Sequence, residues 1–202
     1  EFTAGGRSEY ILHEKYAQSS GHYIRAYLLI QKDLQELFDY IEPAYKNQDT
    51  YSYRVHALLL RTCVEIEANF VAILKENGYT KRDNLNMSDY RKINTTHRLS
   101  SYEVKLPVWN GPHNIREPFL NWGNNESLDW YKAYNKTKHN RHSEFENATF
   151  GCLIDAVCGL VSLLTSQFLN NDFSPSDTLL STGGPNDGME STIGDYFRVK
   201  YP

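Results

Sequence analysis

Cysteine is scarce and methionine scarcer: the 202 residues hold three Cys and two Met. Cys63, Cys152 and Cys158 lie inside apolar helical patterns at no framework spacing, which excludes a disulfide-stapled fold and points to reduced, buried thiols. A long apolar run is also missing. The best stretch, Cys152–Leu164, is interrupted by Asp155 and falls short of a bilayer, so no membrane partner is expected. The opening residues EFTAGGRSEY hold no apolar leader segment. These absences give a cytoplasmic protein as the expectation. Nor is there a basic surplus. Against 25 Asp and Glu stand 21 Lys and Arg, a net charge of −4, which argues against a general nucleic-acid coat but leaves room for a local basic site. No Gly-rich phosphate loop and no G-x-S-x-G turn occurs, so the chemistries built on those motifs drop out.

What the chain does have is aromatic and amphipathic. Its 15 tyrosines suit half-buried positions where the ring packs and the hydroxyl stays hydrated. In GHYIRAYLLIQKDLQELFDYIEP, Ile24, Tyr27, Leu28, Leu34, Leu37, Phe38 and Ile41 recur at three- and four-residue steps. That spacing predicts a helix with one core face, ended by Pro43. SYRVHALLLRTCVEIEANFVAILKENGY repeats the pattern from Val55 through Cys63, Ile66 and Phe70 to Leu74, with Gly78 as terminator. The stretch from about 80 to 126 is irregular. Within it NMSDYRKI predicts a short helix capped by Ser88, and YEVKLPVW predicts a strand that Pro107 confines to an edge. The remainder is a long surface excursion of the kind that often covers a site.

SLDWYKAYNKTKHN resumes helicity with Ser127 as N-cap. EFENATFGCLIDAVCGLVSLLTSQFL is apolar nearly all round and predicts a central helix. Ala148, Cys152, Ala156, Gly159, Ser162 and Ser166 form a shallow seam along it, suited to the second helix or to the same helix of another copy. The expected fold is all-α: an up-down bundle of four to five main helices over residues 1–170, with the irregular insertion at about 80–126. A Ser/Gly/Pro-rich tail follows at 171–202, its end IGDYFRVKYP docking as a short extended strand.

Chemistry concentrates where this bundle turns its last corner, at YNKTKHNRHSEFEN. In a continuous helix Asn135, Lys138, His139 and His142 share a face. Ser143 and Glu146 have capping-box spacing, which predicts a new helix directly after the corner. Its N-terminal N–H groups would be a ready anion site. Lys138 and Arg141 would reach an anion's oxygens, Arg in bidentate fashion. His139 or His142 would move a proton near neutral pH. The candidate catalytic groups are His139, Arg141 and His142, with Asn135 and Lys138 binding substrate and Arg61, Glu65 and Glu67 of the second helix in support. A structural reading stands beside this one, since cations in a last helical turn complement the dipole for about 0.3–1 kcal/mol each. The His-x-x-His of HNRH has no third ligand nearby in sequence, so no metal and no cofactor is expected.

On these residues the chain resembles a known family. WYKAYNKTKHNRHSEFENATFGCLIDAVCGLVSLL is similar to the latter half of HEPN-like bacterial helical domains, in which a YN-x-x-KH-x-R corner precedes a long apolar final helix. RTCVEIEANFVAILKENGY resembles their earlier helix. The resemblance implies a homodimeric bundle. For many members it implies a metal-independent endoribonuclease of toxin–antitoxin, phage-defence or RNA-processing systems, and for others a non-catalytic binding or assembly module. The ribonuclease members carry an Arg and then a His with four to six residues between them. Here His142 follows Arg141 directly. The nearest equivalents are Lys136 or Lys138 with His142, while Arg7 with His13 and Arg91 with His97 match the spacing elsewhere. Two functions stay open: binding of RNA or a nucleotide phosphate in a bacterial defence or stress system, with cleavage as a further step, or an interaction module with a cognate protein partner.

Overall fold

The computed structural model describes residues 20–80, 85–168 and 187–202. In chain order the elements are α1 (Ser20–Phe38), α2 (Tyr53–Glu76), α3 (Met87–Tyr90), α4 (Asn94–His97), β1 (Glu103–Lys105) and β2 (Ile115–Arg116). There follow α5 (Leu120–Gly123), α6 (Asp129–His139), α7 (Arg141–Glu144), α8 (Phe150–Phe168), β3 (Glu190–Ser191) and β4 (Arg198–Lys200). Arg7 and His13 lie outside the described residues.

The two long amphipathic helices form as their spacing predicts. Every apolar position read along α2, from Val55 to Leu74, is buried. Ser52 caps its start by accepting from the Val55 N–H at 3.2 Å. At its end the Tyr79 N–H reaches the Leu74 carbonyl and the Gly78 N–H that of Lys75, with Gly78 at φ 79°, a paired closure that a left-handed glycine permits. α1 stops at Phe38, short of Pro43, because its last carbonyls are taken by tightening i→i+3 bonds from Asp39 and Tyr40. Asn86, not Ser88, caps α3, and Asp89 closes the box by accepting from the Asn86 N–H at 3.0 Å. α6 starts at Asp129 rather than at a Ser127 cap.

α8 is the central helix. From Ala156 to Ser166 every residue is buried. By length and composition it is long and apolar enough to cross a membrane, unlike the shorter stretch read from sequence, yet 78% of its most apolar window lies inside the fold. α2 runs parallel to it, since Tyr51 bridges to Thr149 at one end and Asn69 meets Gln167 at the other. α1 and α6 run the opposite way, with Asp33 paired to Arg61 and Tyr131 to Glu67. Rings of Trp130 and Phe119 lie 3.4 and 3.6 Å from where a Cβ on Gly159 would sit. The small-residue seam is therefore filled within the chain and offers nothing to a second copy at that point.

The fold is mainly helical but not all-α. A four-stranded antiparallel sheet in the order β2-β1-β4-β3 lies against the bundle. β1 is interior, paired on both edges; Pro107 falls beyond its end and confines nothing. Nor is residue 187 onward a separate tail. Ile193, Phe197 and Val199 are buried in the common core. Lys105 and Arg198 stand directly opposite across β1 and β4, a like-charge pair that would oppose pairing. Asp187 reaches both, at 3.1 and 2.6 Å.

The turn between β3 and β4 is held on α1. Gln31 accepts from the Tyr27 hydroxyl at 2.8 Å and donates to the Gly194 carbonyl at 3.1 Å. Gly194 has φ 76°, and a Cβ there would sit 2.8 Å from the Gln31 Oε1. Gly194→Ala combines a left-handed backbone cost of about 1–2 kcal/mol with this clash, so the urea midpoint should fall. An unchanged midpoint would show that the C-terminal strands are not docked this way.

Candidate functional site

The basic corner departs from the expected geometry at Asn140, which leaves helical dihedrals at φ −127°, ψ 45°. Arg141 begins the separate turn α7, so His142 no longer continues the α6 face that carries Lys138. The predicted capping box is absent. Ser143 donates to the Asn140 carbonyl at 3.4 Å, and α8 opens only at Phe150, where Thr149 accepts from the Cys152 N–H at 3.2 Å. The first N–H groups of α8 are not free for an anion either. Phe150 donates to the Thr50 carbonyl and Gly151 to that of Gln48, each at 2.7 Å. A Cβ at Gly151 would lie 3.2 Å from that Gln48 oxygen, so a glycine allows the approach.

The predicted site residues divide into two groups. Lys138 is exposed too, but it folds back along its own helix and donates to the Tyr134 hydroxyl at 2.9 Å. Tyr134 in turn reaches Glu67 at 3.3 Å, and Tyr131 donates to the other oxygen of Glu67 at 2.6 Å. The Tyr134 hydroxyl raises the Lys138 pKa, holding it charged, while burial raises the pKa of both tyrosines. Asn135 sits beside the Tyr131 hydroxyl. This network clamps α6 on α2 and leaves Lys138 engaged. Among the supporting residues only Glu67 belongs here. Arg61 pairs with Asp33, and Glu65 lies on the side of Tyr23; both face α1.

His139, Arg141 and His142 face outward and are exposed, as is Lys136 one turn back. Arg141 and Lys136 have no carboxylate partner among the described residues, a state they share with Arg25, Lys46, Arg54, Lys75, Arg91, Arg98 and Lys138, whereas Lys32, Arg61, Lys92, Lys105, Arg116, Lys132, Arg198 and Lys200 each have one.

Sequence reasoning missed the residues beneath and beside this corner. His56 of α2 is only 5% exposed, and its Nε2 finds no partner among the described residues. Burial and the Arg141 charge lower its pKa, while the Thr137 backbone works the other way. Phe145 packs edge-on against His56 at 5.5 Å. Tyr53 and Tyr51 lean on Phe145 at 4.7 and 5.7 Å. The only signal in the sequence was the odd placing of two tyrosines around the Ser52 cap. The rings of the irregular segment are instead core: Tyr90, Tyr102, Trp109 and Trp122 are all buried.

Clefts elsewhere have other linings. One of about 610 Å³ lies at the far end of α6, bordered by Met87, Arg91, Trp122, Asn125 and Lys132. Another of about 120 Å³ is bordered by His97, Arg98, Tyr102 and Tyr201. Arg91 and His97 thus serve different clefts. Among the described residues no cluster of His, Cys, Asp or Glu could hold a metal ion. Comparison of the chain with protein-family models, curated proteins and solved structures finds no match.

Glu67→Ala should strip two part-buried hydroxyls of their acceptor and destabilise the protein by about 1–3 kcal/mol in urea unfolding, against less than about 0.5 kcal/mol for Arg141→Ala. Equal losses would contradict the division just described. The buried His56 and the half-buried His97 add a pH dependence. Burial pushes His97 from 6.5 down to about 4, and His56 shifts in the same direction. Below about 6.5 the unfolded chain then binds more protons than the folded one, so stability is full above that pH and drops as the pH falls toward 4. The slope is at most about 1.4 kcal/mol per pH unit for each group, and His97→Gln should flatten it in thermal scans across this range.

Proposed function

We propose that this chain is a HEPN-like helical protein that binds RNA through its phosphates at the corner between α6 and α8, without cleaving it. The observation that carries this reading is the concentration of exposed cations and imidazoles at this one corner, with Lys136 and Arg141 its two cations nearest the turn. Both stand exposed beside His139 and His142, with no carboxylate partner among the described residues, on a chain whose net charge is −4. Cations with no internal partner are free to displace the counterions of a phosphate chain, which is the source of sequence-independent affinity. The family resemblance is what supports a role in a bacterial defence or stress system.

Cleavage fits less well. A proton-transfer group has to be held within hydrogen-bond reach of the reacting hydroxyl, and stabilisation of the oxyanion is strong only where water is excluded. Here the outward imidazoles are solvated, Lys138 is committed to Tyr134, and His56 is enclosed. A second reading, an interaction module that assembles as a homodimer, has one observation in its favour. Along the outer face of α2, Ala57, Val64 and Ala68 are exposed at helical spacing, an apolar row of the kind that pairs helices.

Fluorescence anisotropy of a labelled RNA, without metal, tests the first reading. Binding should weaken with salt at a log–log slope of about −0.7 per phosphate contacted. Lys136→Ala and Arg141→Ala should each lower affinity and reduce that slope, and the RNA should be recovered intact. Absence of binding by the wild-type protein at low salt sinks the proposal; RNA cut by the wild type and spared by His142→Ala would overturn its non-catalytic part.

A further inference from the structure

The corner carries a second chemical feature that phosphate binding does not use. Tyr53 is 71% exposed and Tyr51 is 50% exposed, an unusual cost for two large rings set side by side. They are not loosely hung. Tyr53 is the first residue of α2, behind the Ser52 cap, and Tyr51 is fixed by its backbone bridge to Thr149. Both rings rest on Phe145, which is backed by the buried His56. Neither hydroxyl has a hydrogen bond among the described residues. Phe145 lies four residues beyond Arg141, whose charge acts on the His56 ring packed against Phe145, so the ring cluster neighbours that cation.

Resting on the reading of this corner as an RNA-phosphate site, we infer that Tyr51 and Tyr53, supported by Phe145, stack the unpaired bases of a single-stranded RNA whose phosphates lie along Lys136 and Arg141. The chemistry of the surface selects this occupant. A ligand that presents flat π-faces and regular negative charge together is a single-stranded nucleic acid, and such grooves combine aromatic platforms with a cationic track. In a duplex the bases already stack on each other, so the rings would gain nothing from it. Because the rings are held in place beforehand, little side-chain entropy is lost on stacking. Glu144 at the end of α7, which accepts from the Asn147 side chain at 2.8 Å, and Glu146 beyond it would repel a phosphate, so the strand is expected on the Arg141 side.

Three labelled ligands with equal numbers of phosphates separate the possibilities: a single-stranded RNA, a blunt RNA duplex, and a strand whose central positions are abasic. The wild type should bind the single strand about ten- to a hundredfold more tightly than the abasic strand. Tyr53→Leu and Tyr51→Leu should lose most of that margin with no change in melting temperature, while Tyr53→Trp keeps it. Lys136→Ala should weaken single and abasic strands alike. If the wild type binds the abasic strand or the duplex as well as the single strand, or the Leu variants bind as wild type does, the stacking surface is refuted and phosphate binding survives. If the wild type binds none of the three, the RNA reading itself fails. If Tyr53→Leu abolishes a concentration-dependent dimer seen by sedimentation and leaves RNA affinity unchanged, the rings belong to a second copy and the inference is overturned.

Discussion

A helix with almost no solvent face has to be wrapped, and α8 is such a helix. Its burial accounts for the rest of the architecture. α1, α2 and α6 cover three sides, and the irregular segment and the small sheet close what remains, bringing Phe119, Val104, Phe197 and Val199 into the same core as Leu153 and Leu163. Each fully buried large apolar side chain contributes on the order of 1.5–3 kcal/mol, so most of the stability lies along this axis. The corner before α8 is shaped by the same requirement. The first N–H groups of α8 are satisfied by the loop that precedes α2, and that loop leads into the two exposed tyrosines that rest on Phe145.

Local periodicity made α1 and α2 legible. The apolar steps of α2 and its Gly78 terminator depend only on neighbours within a turn or two, and the structure agrees with them residue by residue. Where a choice depended on distant partners, the sequence was silent or misleading. Ser143 and Glu146 have the spacing of a capping box, but the carbonyls of Gln48 and Thr50, about a hundred residues earlier, fix the true start of α8. Pro107 made β1 read as an edge strand, yet a second partner, β4, about ninety residues downstream, makes it interior. The alternation was visible; the pairing was not.

The corner shows the same limit for chemistry. Shared spacing placed Lys138 with His139 and His142, and an ideal helix would have kept them together. One non-helical residue, Asn140, and one nearby phenol, Tyr134, pull the set apart. Glu67 was named as a supporting residue, but nothing in its heptad showed that two tyrosines would share it. The exposed rings were harder still, because a tyrosine flanking a helix cap reads equally well as core cover or as surface.

The pairing of β1 with β4 also has a consequence for how the protein is made. β4 follows every other described element in the chain, so a nascent polypeptide on the ribosome completes α8 before the strands that help enclose it exist. During that interval apolar surface on the central helix is open to other chains, and contacts this distant in sequence form slowly. Synthesis therefore sets an interval of exposed apolar surface on α8, which shortens only once β4 has left the exit tunnel.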